Sequence, residues 1–321
     1  MTTDLLSTTA FHQLLDAATR APSSHNTQPW QFAPIDHGVA VIADRRRRLP
    51  VNDPFDRELT ISCGAAITNI EIAARHLGLD AQVTAFPEAD DNDLLAVVHL
   101  SPTADARAED EPEFAAIETR CTTRGPLGPH DTIGLADVVA GDNRVTFAEI
   151  GDDRREALAD LVADGDRAQF ADGAWRRELA GWMHPRGRGD GLTVGSLTGA
   201  VTRTVVSRFD LGRSTARKNH QLVMDAPQLI VIGSVDDEPG DWIEVGRQLE
   251  RLLLRGAAQG CRAGYLNQPC QVSSIRSRFQ DLVPEAGVPQ IVVRIGASSE
   301  TAEPTARRPI ADVITTTGGT R

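Results

Sequence analysis

No stretch of this 321-residue chain approaches eighteen consecutive apolar residues, and Met1 to Thr9 lacks a basic segment leading into an apolar one. Neither a membrane-spanning helix nor an export signal is therefore expected. Positive charge is scarce as well: 33 Lys and Arg stand against 45 Asp and Glu, a net charge of −12, which leaves no field to gather nucleic acid or anionic lipid. The four cysteines, Cys63, Cys121, Cys261 and Cys270, form no C-x-x-C pair and are too few to staple a chain of this length, which fits a reducing cytoplasm. The eight histidines show no H-E-x-x-H spacing, so a metal centre is not expected. There is no G-x-S-x-G elbow for a nucleophilic triad, and the glycines between Gly187 and Gly212 miss the G-x-G-x-x-G spacing of a phosphate loop.

What remains is a globular chain whose 40% hydrophobic residues suffice for a core and whose length suits two domains or one large α/β unit. Its most informative segment is Ala21 to Trp30, Ala-Pro-Ser-Ser-His-Asn-Thr-Gln-Pro-Trp. Pro22 and Pro29 fix φ near −65°, Ser23, Ser24 and Asn26 favour local turn hydrogen bonds, and Asn26 and Gln28 donate and accept at once. The mixture suits a heteroaromatic ring edged with N–H and C=O groups, and it equally suits a structured turn anchored by Trp30. Arg45 to Arg48, directly after the strand-like Val39 to Ala43, reads as a solvated turn.

A shift of 182 positions lays Gly64 on Gly246, Gly78 on Gly260 and Pro87 on Pro269, with Ile67 over Leu249 and Ile70 over Leu252. Each copy holds an apolar-periodic helix, about Arg57 to Leu77 and Trp242 to Gln259, ending at a glycine suited to a left-handed cap. Before each helix lies a β-branched run, Val39 to Ala43 and Leu229 to Val235. After each comes another, Leu94 to Leu100 and Gln290 to Ile295, with a helix-like insert at Val272 to Leu282 in the second copy.

Two arginine-bearing segments complete the inventory. Arg120, Thr122 and Arg124 stand at alternate positions after the acidic stretch Glu109 to Glu113, and Arg307-Arg308-Pro309 lies near the end. Guanidinium groups bind phosphate bidentately and keep their charge, and a hydroxyl adds a donor. Surface ion pairing with the acidic stretch is the alternative for Arg120 and Arg124.

Ala-Pro-Ser-x-x-Asn-x-Gln-Pro-Trp resembles the signature of the nitroreductase superfamily of FMN oxidoreductases. Arg120-x-Thr122-x-Arg124 resembles its Arg-x-Ser-x-Arg motif with threonine keeping the hydroxyl, and Arg307-Arg308-Pro309 resembles its C-terminal Arg-x-Pro. The length, the form of Arg20 to Trp30 and Arg307 to Ile310 are together similar to the fused-pseudo-dimer, Acg-type FMN-binding branch. The resemblance implies an α+β, nitroreductase-like fold: two similar units forming an internal pseudo-dimer, each a mostly antiparallel sheet flanked by helices. The expected units are residues 1–110 and 111–321, joined near 101–113, with a long, mobile glycine-rich lid at about 182–217.

The turn occurs only in the first half and the Arg120 to Arg124 motif only in the second, so the resemblance implies one FMN per chain, between the halves. Pro22, Ser23, Ser24, Asn26 and Gln28 would approach the ring. Arg120, Thr122 and one of Arg307 and Arg308 would hold the phosphate, a choice the sequence leaves open. Arg124 would face the N1/C2=O edge and raise the reduction potential. The implied partners are NAD(P)H and a small aromatic acceptor, with a flavin-sequestering protein as the alternative. An internal pseudo-dimer makes a monomer sufficient and leaves a homodimer open.

Overall fold

The computed structural model describes residues 7–103, 111–135, 143–195, 199–298 and 304–315. Helix α1 (Thr8–Thr19), N-capped by the Ser7 side chain, opens the chain and runs into the Pro22 turn. Strands β1 (Trp30–Ile35) and β2 (Gly38–Ala43) follow as a hairpin, then α2 (Arg57–His76), β3 (Leu79–Ala85) and β4 (Leu94–Pro102). The four strands pair antiparallel in the order β1-β2-β4-β3.

After α3 (Glu111–Thr119) the same plan recurs with insertions. Strand β5 (Val145–Glu149) is followed by α4 (Asp152–Ala171), α5 (Gly173–Gly181), β6 (Met183–His184), β7 (Leu192–Thr193), α6 (Gly199–Arg208) and α7 (Gly212–Met224). Strand β8 (Gln228–Ser234), α8 (Pro239–Ala258) and β9 (Cys261–Tyr265) come next, then α9 (Gln268–Gln271), α10 (Ser273–Leu282) and β10 (Val288–Ala297). The second sheet is again antiparallel, ordered β5-β8-β10-β9, which is the first sheet's order element for element. The chain is thus α+β, with two similar antiparallel units.

The 182-residue repeat is exact in the helices: α2 and α8 are both 20 residues long and start 182 residues apart. Each ends at a left-handed glycine, Gly78 at φ 73° and Gly260 at φ 79°, where any other residue would be strained. The two helices pack on each other at Gly64 and Gly246. A Cβ on Gly64 would run into the Ile243 carbonyl oxygen and lie 3.1 Å from the Gly246 Cα; one on Gly246 would meet the Ile61 carbonyl and lie 2.9 Å from the Gly64 Cα. Ile61 and Ile243 are themselves repeat equivalents, so the contact is reciprocal, as in a twofold dimer interface.

Helix α2 covers the first sheet through Ile67, Ile70 and Cys63, and α8 covers the second through Val245, Leu249 and Leu252. The second sheet's other face, Leu229, Val231 and Val292, is covered by α4 and α10, which fits its almost fully buried strands. The final segment returns to the first unit, where Phe32 exchanges backbone hydrogen bonds with Val313 and Thr315. Most of the expected joint at 101–113 lies outside the described residues.

The glycine-rich segment 182–217 departs from expectation. Its described part is not a long irregular connection but β6, β7, α6 and the start of α7, while residues 196–198 lie outside the description. Gly199 and Gly212 stand at helix starts, and Gly189 and Gly191 occupy positive-φ turn positions. The glycines therefore punctuate short elements instead of dissolving them.

Candidate functional site

The Pro22 turn is built under local constraint. His25, Asn26 and Gln28 all have φ near +50°, a region that costs non-glycine residues about 1–3 kcal/mol each and persists only where surroundings impose it. Those surroundings are visible. The Ser23 hydroxyl accepts from the Gln28 backbone N–H at 2.9 Å, and the Ser24 hydroxyl donates to Glu58 at 2.6 Å. The Asn26 carboxamide donates to the carbonyls of Gly191 and Ala306, both at 3.2 Å. Arg47 donates to the Thr27 carbonyl and to Asp190, and its guanidinium lies 5.2 Å from the Trp182 ring centroid. The Arg45 to Arg48 run is thus no merely solvated turn: Arg47 ties the 22–28 bend to the segment after α5.

This turn forms one wall of a cavity of about 840 Å³. Pro22, Ser23, Ser24, Asn26, Arg120, Thr122, Arg124 and Arg307 all line it, so residues far apart in sequence meet around one space. Gln28 and Arg308 are not among the lining residues. Gln28 is fully buried, donating to the Gly189 carbonyl at 2.8 Å and accepting from the Arg308 backbone N–H at 2.8 Å. The Arg308 guanidinium donates to the carbonyls of Gln28 at 3.0 Å and Trp30 at 3.3 Å and faces Asp44 at 3.7 Å. Both stand behind the wall, their polar atoms paired with backbone groups; Arg307 also donates to backbone carbonyls, those of Thr19, Arg20 and Ala21 among them, but lines the cavity. Gln28→Ala would leave the Gly189 carbonyl and the Arg308 N–H unpaired, and a loss of about 1–3 kcal/mol is expected in denaturant unfolding.

Arg120 and Arg307 converge on the carbonyl end of α1, each donating to the Arg20 carbonyl, at 2.8 and 2.9 Å. Burial and the neighbouring Arg120 charge bring Arg307 down to about 9, so the pair holds positive charge at a cost, and an anion beside it would relieve both effects. Among the described residues, no acidic group of that stretch pairs with Arg120: Arg120 Nε lies 3.4 Å from Glu250, while Glu113 pairs with Arg255 at 2.9 Å. Arg124 opens onto the cavity with no hydrogen-bond or ion-pair partner among the described residues, and desolvation by the surrounding protein lowers its pKa. Burial first, and Arg124 second, bring His25 down to about 4, so its ring is neutral near pH 7.

Several lining residues carry no motif. Ser62 and Ala65 on α2 give the cavity small side chains beside the turn, and Tyr265 and Gln268 border it from the second unit. The far wall comes from α4, α5 and α7, with Phe170, Trp175, Lys218 and Asn219. Asp166 there accepts from Asn219 at 2.9 Å and Gln268 at 3.0 Å, while burial raises it to about 6. The His25 Nδ1, the Tyr265 hydroxyl and the Gln268 Oε1 are buried without a hydrogen-bond partner, which is unusual for buried polar atoms and points to a ligand-facing surface. The wall can therefore bind an anion at one end and a polar-edged planar group alongside.

Among the described residues no helix is long and apolar enough to cross a membrane. Residues 2–53 match the family described as "Nitroreductase family". The chain is 28% identical to the "Putative NAD(P)H nitroreductase acg" of Mycobacterium tuberculosis, over 97% of this chain and 96% of that protein. It is 25% identical to the "Probable NAD(P)H nitroreductase PigM" of Serratia sp., over 96% and 94%. Among solved structures, an FMN and NADPH-dependent nitroreductase, NfnB from Sphigopyxis sp. strain HMH, aligns with a TM-score of 0.41 at 16% identity, covering 64% of this chain and 99% of that one.

Proposed function

We propose that this chain is a nitroreductase-superfamily protein of the Acg type, that its cavity holds one FMN and that the protein is an FMN-dependent NAD(P)H oxidoreductase for a small acceptor. The observation that carries the proposal is the meeting of Arg120 and Arg307, 187 positions apart in the sequence, at one end of the cavity that the strained Pro22 turn walls. Arg120, Thr122 and Arg307 would hold the phosphate, with Arg308 as part of the supporting wall. Ser23, Ser24 and Asn26 would border the ring; the Asn26 amide N–H groups are committed to backbone carbonyls, which leaves its Oδ1 for a ring N–H. Arg124 would sit at an electron-rich edge of the ring, where a fixed cation favours the reduced, anionic form.

When bound, FMN supplies two-electron hydride chemistry between a nicotinamide and an acceptor. The chain's own contribution is binding, orientation and exclusion of water. One site per chain is supported by the repeat itself. The α8 positions equivalent to Ser62 and Ala65 are Glu244 and Arg247, and Arg247 pairs with Glu244 and, at 2.6 Å, with Glu71. A buried ion-pair network thus stands where the mirror cavity would need small side chains.

A flavin-sequestering role is supported by one specific feature, the fastening of residues 189–191 to the turn by Asn26 and Gln28, beside Leu192, Thr193 and Val206 on the cavity wall. Hydride transfer needs reacting atoms about 3–3.5 Å apart, hence an open ring face. Anaerobic mixing of the FMN-loaded chain with NADPH or NADH separates the two readings. Bleaching of the flavin band within seconds supports the oxidoreductase, and bleaching only with dithionite supports sequestration.

A further inference from the structure

Glu250 lies on α8 with no solvent exposure, and its nearest cation is Arg120, Nε to Oε1 3.4 Å. The Asn69 amide is a side-chain donor near its carboxylate, but no hydrogen bond to either oxygen has full geometry, an expensive arrangement for a buried charge. The groups facing it are Arg120, Arg307 from the C-terminal segment, Asn69 on α2 and the Tyr265 hydroxyl on β9, itself without a partner. On its own helix, Arg247 and Arg251 are engaged by Glu71 instead. Burial raises Glu250 to about 7 against the pull of Arg120, the Asn69 amide and Arg307. Those same two arginines form the anion end of the cavity, so any phosphate they bind shares their charge with Glu250.

We infer that Glu250 is the charge-balancing residue of this arginine pair, a positioning residue that gives up its negative charge by taking a proton when a phosphate monoester dianion binds. This rests on the reading of the cavity as a mononucleotide site. The reasoning is electrostatic: a dianion beside Arg120 and Arg307 takes over the attraction that kept Glu250 ionised and adds a like charge nearby, and both effects favour the neutral acid. The neutral carboxyl then has a proton to donate, and the Tyr265 hydroxyl stands beside it. The two arginines favour a terminal phosphate monoester over a neutral ligand of the same ring system, and only the former draws the proton in.

The sign of the pH dependence follows. Binding takes up a proton, so affinity for FMN falls as pH rises above about 7, by up to about tenfold per pH unit until the bound-state pKa is reached. The test is isothermal titration calorimetry of the flavin-free full chain with FMN at pH 8 in two buffers of different ionisation enthalpy, alongside riboflavin as a phosphate-free probe. Expected are roughly half to one proton taken up per FMN and none with riboflavin. Glu250→Gln should abolish the FMN uptake and bind FMN about tenfold more tightly than the wild type at pH 8, with equal affinity near pH 6. FMN binding with no proton uptake by the wild type, or with the same uptake in Glu250→Gln, overturns the role of Glu250 alone. No FMN binding at all overturns the mononucleotide reading and this inference with it. Absence of uptake by the wild type overturns the inference whether or not the variant folds.

Discussion

Arg120→Ala should weaken FMN binding by one to two decades while the chain stays folded. The lost interactions are charge-assisted hydrogen bonds to phosphate, worth about 1.5–3 kcal/mol, and each 1.4 kcal/mol is about tenfold in affinity. Removing a buried cation ordinarily strands its partner at a cost of about 3–5 kcal/mol. Here Glu250 is raised to about 7 and can neutralise by protonation, so the penalty shrinks near neutral pH. Arg307→Ala should weaken FMN binding alike and also lower stability, because its guanidinium holds the carbonyls of Thr19, Arg20 and Ala21. Arg308→Ala is the informative contrast: its guanidinium does not line the cavity and serves the carbonyls of Gln28 and Trp30, so its loss should lower stability and leave the FMN dissociation constant within a few-fold. Fluorescence titration of the three variants beside their denaturation midpoints checks the pattern. Equal loss of affinity in all three would mean that the anion end is misplaced.

Gly246→Val should have the largest effect on folding. The added Cβ meets the Ile61 carbonyl and, at 2.9 Å, the Gly64 Cα. Overpacking a core costs about 1–3 kcal/mol when side chains can yield. Here the obstructing atoms are backbone of the facing helix, so about 3 kcal/mol or more is expected, a large part of a typical domain's stability. The two helices would also separate between the units, opening the junction that Leu249 and Ile61 help to line. Soluble yield and thermal midpoint read the first effect, and FMN binding of any folded fraction reads the second. Gly64→Val should match it, because the contact is reciprocal. A thermal midpoint unchanged in either variant would contradict the packing described.

The parts of this molecule legible in the sequence are those where backbone geometry forbids alternatives. Gly64 and Gly246 appear as a repeat because helices this close exclude a side chain, and Gly78 and Gly260 because a left-handed cap requires glycine. The two motifs were legible because they concentrate strained and charged residues in short spans: the turn carries three positive-φ residues within four positions.

Glu250, Tyr265, Ser62 and Ala65 were not legible, since each is an ordinary member of a helix or strand and gains its meaning only from partners remote in the chain. Arg307 and Arg308 are adjacent and chemically identical, and backbone direction alone puts one at the cavity and the other behind it. The Arg45 to Arg48 run reads as surface because its partners, Asp190 and the Thr27 carbonyl, are remote in the chain. The glycine-rich segment misleads for a related reason. Its glycines lie at helix starts and tight turns, where they permit structure that composition alone would deny.

The central claim is that two incomplete halves share one mononucleotide site. Titration of the flavin-free chain with FMN, followed by the change in flavin absorbance and fluorescence, tests it most directly. The account predicts saturation at one FMN per polypeptide. Saturation at two, or no binding by correctly folded protein, would contradict it.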